Sequence, residues 1–230
     1  MTSDNHRTII AIIPAYNEAG TVADIIRRTL PHVSKVIVVD DASTDATAQV
    51  ARTAGATVYQ EPINRGYNSV LNTGFTLAKQ MDADIIITID ADGEHRPEDI
   101  PNMLEPIRAG RADLTVGARS SFPQLAEYIY SFYSRLRFGI IDPLCGFKAY
   151  TRKVIEQSER FDTRRSAGTE MTFTAIHRGF RAQNVPIPFL IRQNDTSRYY
   201  SRRFYGNIKI LRAMFSIMFA TLGPRKSKNG

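Results

Sequence analysis

The sequence predicts an α/β fold in which a mostly parallel central sheet is flanked by helices. Short runs of β-branched residues alternate with longer amphipathic stretches over the first 117 residues. These runs are almost continuously apolar, which is typical of strands buried on both faces of a parallel sheet. With 230 residues, 43% of them hydrophobic, the chain can bury the core of one large domain, which excludes a globally disordered protein.

The first two predicted strands are separated by an amphipathic helix. Residues 8–13 form a continuous apolar run, and apolar residues then recur at helical spacing over 21–30. Residues 36–39 repeat the strand pattern. The next predicted helix covers 45–54 and ends before Gly55, because glycine readily adopts the left-handed conformation that follows many helices.

The same alternation continues through three more strands. A short strand is predicted at 57–59, a helix over 68–81 and an apolar strand at 84–89. The helix predicted over 97–109 starts at a proline, which suits the first turn of a helix. A fifth strand follows at 114–117, which completes the pattern that predicts a parallel sheet.

Acidic residues follow several of these strands. Ligands of parallel sheets bind at the carboxyl ends of the strands, which here are residues 14–18, 40–43, 90–94 and 117–120. Asp90 and Asp92 alternate after a buried strand, so both carboxylates can face one ligand, and Glu94 continues the alternation. Neighbouring carboxylates repel unless a cation lies between them, which favours Mg²⁺ or Mn²⁺ bridging to phosphate oxygens. A solvated acidic turn that caps the next helix is the open alternative.

Eight motifs occur in order along the chain. They are Ile13–Glu18, Val38–Asp45, Asn64–Gly66 with Asn72–Gly74, Ile89–Glu94, Gly117–Arg119, Asp142–Lys148, Gly168–Glu170, and Val185–Pro188 followed by Arg192. Together they resemble family 2 glycosyltransferases, which have the GT-A fold, from about Ile9 to Arg198. The nearest similarity is to dolichyl-phosphate mannose synthases and related polyprenyl-phosphate glycosyltransferases.

The resemblance implies a nucleotide-sugar site built from these motifs. Its expected binding residues are Pro14, Tyr16, Glu18, Val39, Asp41, Asp90, Ala91, Asp92, Arg119, Arg192 and Arg198. The first three are expected to line the base and ribose, and Asp41 to accept a hydrogen bond from the base. Asp92, together with Glu94, is expected to hold Mg²⁺ or Mn²⁺ on the diphosphate, and the last two arginines to hold phosphates.

The implied reaction is inverting transfer of a hexose from a nucleotide sugar, GDP-mannose or a UDP-hexose, to a polyprenyl (dolichyl or undecaprenyl) phosphate. Transfer to a saccharide hydroxyl, in surface polysaccharide or glycolipid synthesis, is the alternative. Catalytic roles are expected for Asp92, Arg119 and Glu170. Glu170 would act as general base toward a hydroxyl, whereas a lipid phosphate is already ionised near neutral pH and needs none. An ordinary surface arginine is the alternative interpretation of Arg119.

Four residues near these motifs have plainer interpretations. Asp40 is expected to cap the next helix or to brace its loop. His95 is expected to be a loop histidine at a helix entry, because hard cations prefer oxygen ligands. Cys145 stands where the family usually has serine and is expected to be a small buried residue. Lys148 stands where the family usually has arginine, and these two changes bear on the acceptor more than on the donor.

Basic residues are concentrated at the end of the chain. The formal net charge is +7, yet residues 192–230 hold nine Lys and Arg against one acidic residue, which leaves −1 for the first 191 residues. We therefore divide the chain into a GT-A domain, 1–200, and a basic amphipathic helix with a frayed tail, 201–230. That helix, and one predicted over 125–138, could lie on a membrane surface or pack against protein.

Composition and motifs disfavour other classes of function. One cysteine excludes a disulfide framework and a Cys-rich zinc site. No segment has the pattern of a signal peptide or a membrane span, so the expected location is the cytoplasm or the cytoplasmic face of a membrane. No nucleic-acid partner is expected, because the predicted cleft is acidic. The expected partners are the sugar donor, its acceptor, and a membrane surface or membrane-anchoring subunit, and a homo-oligomer stays open.

Overall fold

The computed structural model describes residues 7–120, 125–157 and 167–188, and within them a seven-stranded sheet is flanked by helices. The strands are β1 (Ile9–Ala15), β2 (Lys35–Asp40), β3 (Thr57–Gln60), β4 (Ile85–Thr88), β5 (Leu114–Arg119), β6 (Lys148–Thr151) and β7 (Ala182–Ile187). The helices are α1 (Val22–Thr29), α2 (Thr47–Thr53), α3 (Tyr67–Gln80), α4 (Ile100–Arg108), α5 (Leu125–Phe138), α6 (Arg152–Glu156) and α7 (Ala167–His177). Short 3₁₀ turns cover Leu30–His32 and Pro97–Asp99.

The strand order is β3-β2-β1-β4-β6-β5-β7, and the sheet is mostly parallel, as the sequence predicts. Strand β6 is the exception, because it runs antiparallel to both of its neighbours, β4 and β5. The sequence prediction omits β6, whose four residues, Lys148–Thr151, include no continuous apolar run. The fold class is confirmed, and two strands are added to the five predicted over the first 117 residues: the antiparallel β6 and the parallel β7 at the edge of the sheet.

Two strands continue two residues past their predicted ends. Strand β1 extends through Pro14 and Ala15, because these residues pair with Val39 and Asp40 of β2. Strand β5 extends to Arg119, which pairs with Ile187 of β7. These extensions bring two of the predicted site residues, Pro14 and Arg119, into the sheet.

Apolar residues on alternate positions of the strands fill two cores, one on each face of the sheet. Ile10 and Ile12 of β1 face the core under α3 and α7, whereas Ile9 and Ile13 face the core under α1 and α4. Within the described residues, no helix is long and apolar enough to cross a membrane. The expected helix and tail at 201–230 lie outside the described part of the chain.

Helix α3 crosses β1 at a glycine. A Cβ atom added at Gly74 would lie 2.4 Å from Cγ2 of Ile12, a fully buried β-branched side chain at the centre of the sheet. The missing side chain therefore sets how closely the helix approaches the sheet.

Substituting this glycine tests the packing. Gly74→Ala should lower the free energy of unfolding by about 1–3 kcal/mol through overpacking, partly offset by about 1 kcal/mol of improved helix propensity. Urea unfolding followed by circular dichroism measures the difference. Gly20→Ala is the matched control, because nothing lies within 4 Å of a Cβ at that position. A Gly74→Ala protein as stable as the wild type would show that α3 is not held at this distance.

Candidate active site

A cavity of about 970 Å³ opens at the carboxyl ends of β1, β2 and β4. It is lined by Pro14, Ala15, Tyr16, Asn17, Glu18, Asp41, Asn64, Gly66, Tyr67, Val70, Asp90, Ala91 and Asp92. Seven of the predicted binding residues are thus brought together: Pro14, Tyr16, Glu18, Asp41, Asp90, Ala91 and Asp92. The edge of the sheet predicted from the strand order is therefore the edge that carries the cavity.

The other predicted residues lie elsewhere. Val39 is fully buried inside β2 and does not line the cavity. Glu94, Arg119 and Glu170 are also outside the lining. Arg192 and Arg198 fall outside the described residues, as does the rest of the C-terminal segment.

Hydrogen bonds join the loop after β1 to the loop after β2. The backbone N–H of Asn17 donates to the hydroxyl of Ser43 at 2.9 Å, and the side-chain oxygen of Asn17 accepts from the N–H of Thr44 at 2.9 Å. The N–H of Glu18 donates to the hydroxyl of Thr47 at 2.8 Å. These bonds hold Tyr16, which is half exposed at the cavity mouth, on a fixed loop.

The two aspartates after β2 have different environments. Asp40 is fully buried and accepts hydrogen bonds from the hydroxyl of Ser43 and the side-chain amide of Gln60, which confirms its bracing role. The two carboxylate oxygens of Asp41 accept the backbone N–H groups of Arg65 and Gly66 at 2.7 and 2.8 Å. Asp41 therefore braces the loop before α3 and lines the cavity, and its contact with a base stays a prediction.

Asp90 is held by a residue that the sequence prediction omits. The hydroxyl of Tyr67 donates to Oδ1 of Asp90 at 2.9 Å, and Oδ2 packs against the backbone at Gly146, where a Cβ would lie only 2.0 Å away. Burial raises the pKa of Asp90, and the Tyr67 hydrogen bond and the charge of Lys148 oppose that rise. Desolvation at the cavity wall and the neighbouring charge of Asp90 also raise the pKa of Tyr67, so its hydroxyl keeps the proton that it donates.

His95 lies in the loop before the 3₁₀ turn Pro97–Asp99, as expected for a loop histidine at a helix entry, and its side chain is buried beneath this pair. Its side chain is 3% exposed, lies 5.6 Å from the ring of Phe147 and places Nε2 3.7 Å from Oδ2 of Asp90. Burial lowers the pKa of His95 to about 4, so the ring is neutral at pH 7. His95 therefore supplies shape and no positive charge below the site.

Acidic groups dominate the cavity wall. Glu18, Asp41, Asp90 and Asp92 line it, and no lysine or arginine of the described residues does. Oδ1 of Asp92 accepts the backbone N–H of Glu94 at 3.0 Å, which fixes the turn after β4. The wall favours a cation, and its oxygen donors are of the kind that Mg²⁺ and Mn²⁺ prefer.

The donor set fits a metal that is shared with a substrate. The described residues include no group of three or more His, Cys, Asp or Glu side chains able to hold a metal by themselves. Mg²⁺ is usually bound through one or two carboxylates together with substrate phosphates. Asp90 and Asp92 supply such a partial set.

Arg119 is committed to a buried ion network at the end of β5. Its Nε and Nη2 atoms lie 2.6 and 3.1 Å from the two carboxylate oxygens of Asp142, and Nη2 lies 3.0 Å from Glu127 of α5. The Arg119 side chain is 9% exposed, so the alternative of an ordinary surface arginine is wrong. Charge-assisted bidentate pairing of this kind fixes the guanidinium rigidly.

Strand β6 begins with a buried amine, Lys148, and a buried thiol, Cys145, precedes it. Nζ of Lys148 donates to the carbonyl of Pro143 at 2.9 Å, and burial lowers the pKa of Lys148 to about 8. Burial raises the pKa of Cys145 to about 12, which confirms that it is a buried residue and argues against a thiolate nucleophile. Thr169, in the first turn of α7 beside Glu170, also donates to Pro143, at 2.7 Å.

Residues 10–144 match the sequence model described as glycosyl transferase family 2. An undecaprenyl-phosphate mannosyltransferase of Micrococcus luteus is 30% identical over 213 residues, which cover 83% of this chain and 86% of that protein. A polyprenol monophosphomannose synthase of Mycolicibacterium smegmatis is 30% identical over 217 residues, which cover 84% and 80%.

Solved structures share the fold at lower identity. Glucosyl-3-phosphoglycerate synthase of Mycobacterium tuberculosis, crystallised with Mn²⁺, UDP-glucose and phosphoglyceric acid, superposes with a TM-score of 0.72. It is 20% identical, and the match covers 92% of this chain and 81% of that one. This likeness identifies the GT-A fold.

The bond between Tyr67 and Asp90 leads to a prediction about ionisation. Tyr67→Phe should raise the pKa of Asp90, because it removes a hydrogen bond that stabilises the charged carboxylate. A ¹³C NMR titration of the aspartate carboxyls measures the pKa directly. Tyr16→Phe, which changes the other exposed tyrosine of the same cavity, is the control and should leave Asp90 unchanged. An unchanged or lower pKa in Tyr67→Phe would contradict the assignment.

The brace from Asp41 leads to a prediction about the loop before α3. Asp41→Asn leaves one acceptor for two backbone donors, so the free energy of unfolding should fall by about 1–3 kcal/mol. Hydrogen exchange at the amides of Arg65 and Gly66 should accelerate. Asp24→Asn, which breaks an exposed ion pair with Arg28, should cost less than about 1 kcal/mol. Wild-type exchange at both amides in Asp41→Asn would show that the carboxylate does not hold the loop.

Proposed function

Because this chain belongs to glycosyl transferase family 2, we propose that it moves a hexose from a nucleoside diphosphate sugar to a polyprenyl phosphate, with inversion at the anomeric carbon. The observation that carries the proposal is the pair of carboxylates, Asp90 and Asp92, in an acidic cavity at the carboxyl edge of the sheet. The lipid acceptor is supported by the two relatives at 30% identity, whose names specify undecaprenyl phosphate and polyprenol. GDP-mannose and UDP-hexoses are the candidate donors.

A divalent cation completes the proposed donor site. Asp92, with Asp90 and Glu94 in the same turn region, would hold Mg²⁺ or Mn²⁺ together with the diphosphate oxygens. The chemistry that this ion supplies is neutralisation of the negative charge on the leaving diphosphate. An anionic diphosphate would otherwise meet a wall of four carboxylates.

The side chains that line the cavity are proposed to position the sugar donor. Tyr16 is proposed to pack on the base at the cavity mouth, with Pro14 and Glu18 beside the ribose. Asp41 is proposed to accept an N–H of the base at the lone pairs that the loop amides leave available. Asp90 is proposed to contact the ribose or the sugar, in the orientation that Tyr67 imposes.

The reaction itself needs little proton transfer from the protein. A phosphate oxygen of the lipid attacks the anomeric carbon as the bond from that carbon to the diphosphate breaks, and the nucleoside diphosphate leaves. Since a phosphate monoester has a second pKa of about 6, the attacking oxygen is already ionised. Glu170 is then proposed to shape the acceptor side together with Lys148, and Arg192 and Arg198 to offset phosphate charge. Arg119, already paired with Asp142 and Glu127, is proposed to hold the end of β5 in place for that site.

The experiment offers labelled GDP-mannose or a UDP-hexose, with Mn²⁺ or Mg²⁺, to undecaprenyl phosphate, dolichyl phosphate and a saccharide acceptor in parallel. Label is expected in a polyprenyl-phosphate product. Asp92→Ala should lower turnover by roughly 100-fold or more, because charge stabilisation at the leaving group is lost. Asp24→Ala, an exposed acid on α1, should keep wild-type turnover.

Two outcomes would contradict the proposal. Label found only on the saccharide would replace the lipid acceptor by a hydroxyl, and Glu170 would then be tested as general base. Full turnover in Asp92→Ala would refute the metal role of that carboxylate.

A further inference from the structure

The solvent-facing side of α5 is apolar. Leu125, Tyr128, Ile129, Phe132 and Leu136 are 46–73% exposed. Residues separated by three, four, seven and eleven positions lie along one face of a helix, so the five side chains form a single stripe, here called the α5 stripe. A helix that meets only water is normally polar on this side, and contiguous exposed apolar surface marks an interaction site.

The α5 stripe is a second apolar face, because the opposite face of the helix is already packed. Ala126, Tyr130, Ser134 and Phe138 are buried. The ring of Phe138 stacks on Phe173 of α7 with centroids 4.0 Å apart. The helix is therefore fixed on the domain by this face, and the side chains of the stripe point away from that core and are exposed.

Charge on the exposed surface of α5 is entirely positive. Arg135 and Arg137 are exposed near its C-terminal end. Its one acidic residue, Glu127, is buried and pairs with Arg119 at 3.0 Å. An exposed surface that combines large apolar and aromatic side chains with arginines matches an anionic lipid surface.

The position of α5 relates the stripe to the candidate active site. Glu127 and Asp142 share Arg119 at the end of β5, and Ser131 of α5 donates to the carbonyl of Ile141. The helix is thus tied to the carboxyl edge of the sheet, where the cavity opens. A surface that holds α5 also holds that edge.

We propose that the α5 stripe docks on the surface of an anionic phospholipid bilayer and so presents the carboxyl edge of the sheet to a lipid-borne phosphate acceptor. The inference rests on the proposed function for the identity of that acceptor. The chain's own segment 207–222 carries Lys209 and Arg212 and no acidic residue, so its charge would oppose Arg135 and Arg137. Charge therefore favours the bilayer as the occupant.

The absence of tryptophan from the whole chain allows a direct test. Phe132→Trp places a single reporter in the stripe, and Tyr59→Trp places one on β3, at the opposite edge of the sheet. Full-length protein is mixed with vesicles of phosphatidylcholine and phosphatidylglycerol in equal parts, or of phosphatidylcholine alone. Emission from Phe132→Trp should shift to the blue and be quenched by brominated lipid in the anionic vesicles. Tyr59→Trp should not respond.

A second variant separates docking from reporter artefacts. Phe132→Ser/Leu136→Ser removes two exposed side chains, so the fold should persist while vesicle sedimentation falls by roughly tenfold or more. Undiminished sedimentation of this double variant would overturn the proposal. So would emission from Phe132→Trp that is blue-shifted without lipid. If that blue shift did not depend on protein concentration, another segment of the same chain would be the occupant of the stripe. If the blue shift were lost on dilution, the occupant would be a second copy of the chain.

The vesicle measurement does not depend on catalysis. If the protein docks through the stripe but transfers no sugar to polyprenyl phosphate, the proposed acceptor is refuted and the proposed docking surface stands. If the protein makes the lipid product but the emission of Phe132→Trp does not change with vesicles, the proposed function stands and the proposed docking surface is refuted.

Discussion

The candidate site depends on a cluster of carboxylates at the edge of the sheet where the parallel strands end. Because β1, β2 and β4 run in one direction, the acidic residues that follow them share one edge of the sheet. Neutral donors hold the three buried or half-buried carboxylates there: side-chain groups on Asp40, backbone amides on Asp41 and a tyrosine hydroxyl on Asp90. Neutral donors orient a carboxylate without cancelling its charge, so the cavity keeps an affinity for cations.

At the other half of the same edge, the charged side chains are paired with one another. At the end of β5 the guanidinium of Arg119 is paired with Asp142 and Glu127, so positive charge is neutralised in place. Lys148 is buried on β6, the strand that lies between β4 and β5. The acidic wall of the cavity and a rigid network of paired charges thus lie at the same edge of the sheet, and α5 is attached to that network through Glu127. Helix α5 and the end of β5 are thus held together at the edge of the sheet that carries the cavity.

Local sequence patterns were sufficient for β1 to β5, because each contains a short run rich in β-branched residues that is followed by a turn or loop. They were insufficient for β6, whose pairing with β4 and β5 gives stability that Lys148–Thr151 does not show in its own pattern. The strand ends located Asp90 and Asp92, since alternation in an extended segment is a local property. The contact from Tyr67 to Asp90 spans 23 residues and depends on how α3 packs on the sheet, which no local pattern encodes. The burial of Arg119 likewise depends on partners that are distant in sequence.

The central claim is that the acidic cavity binds an anionic nucleotide through a shared divalent cation. Titration calorimetry of GDP and UDP into the full-length protein, with Mn²⁺ and then with EDTA, measures this most directly. The account predicts binding of one of the two nucleotides in Mn²⁺, and loss of that binding both in EDTA and in Asp92→Asn. Equal affinity in Mn²⁺ and EDTA would contradict it, because the four carboxylates would then be accommodating a diphosphate without a cation.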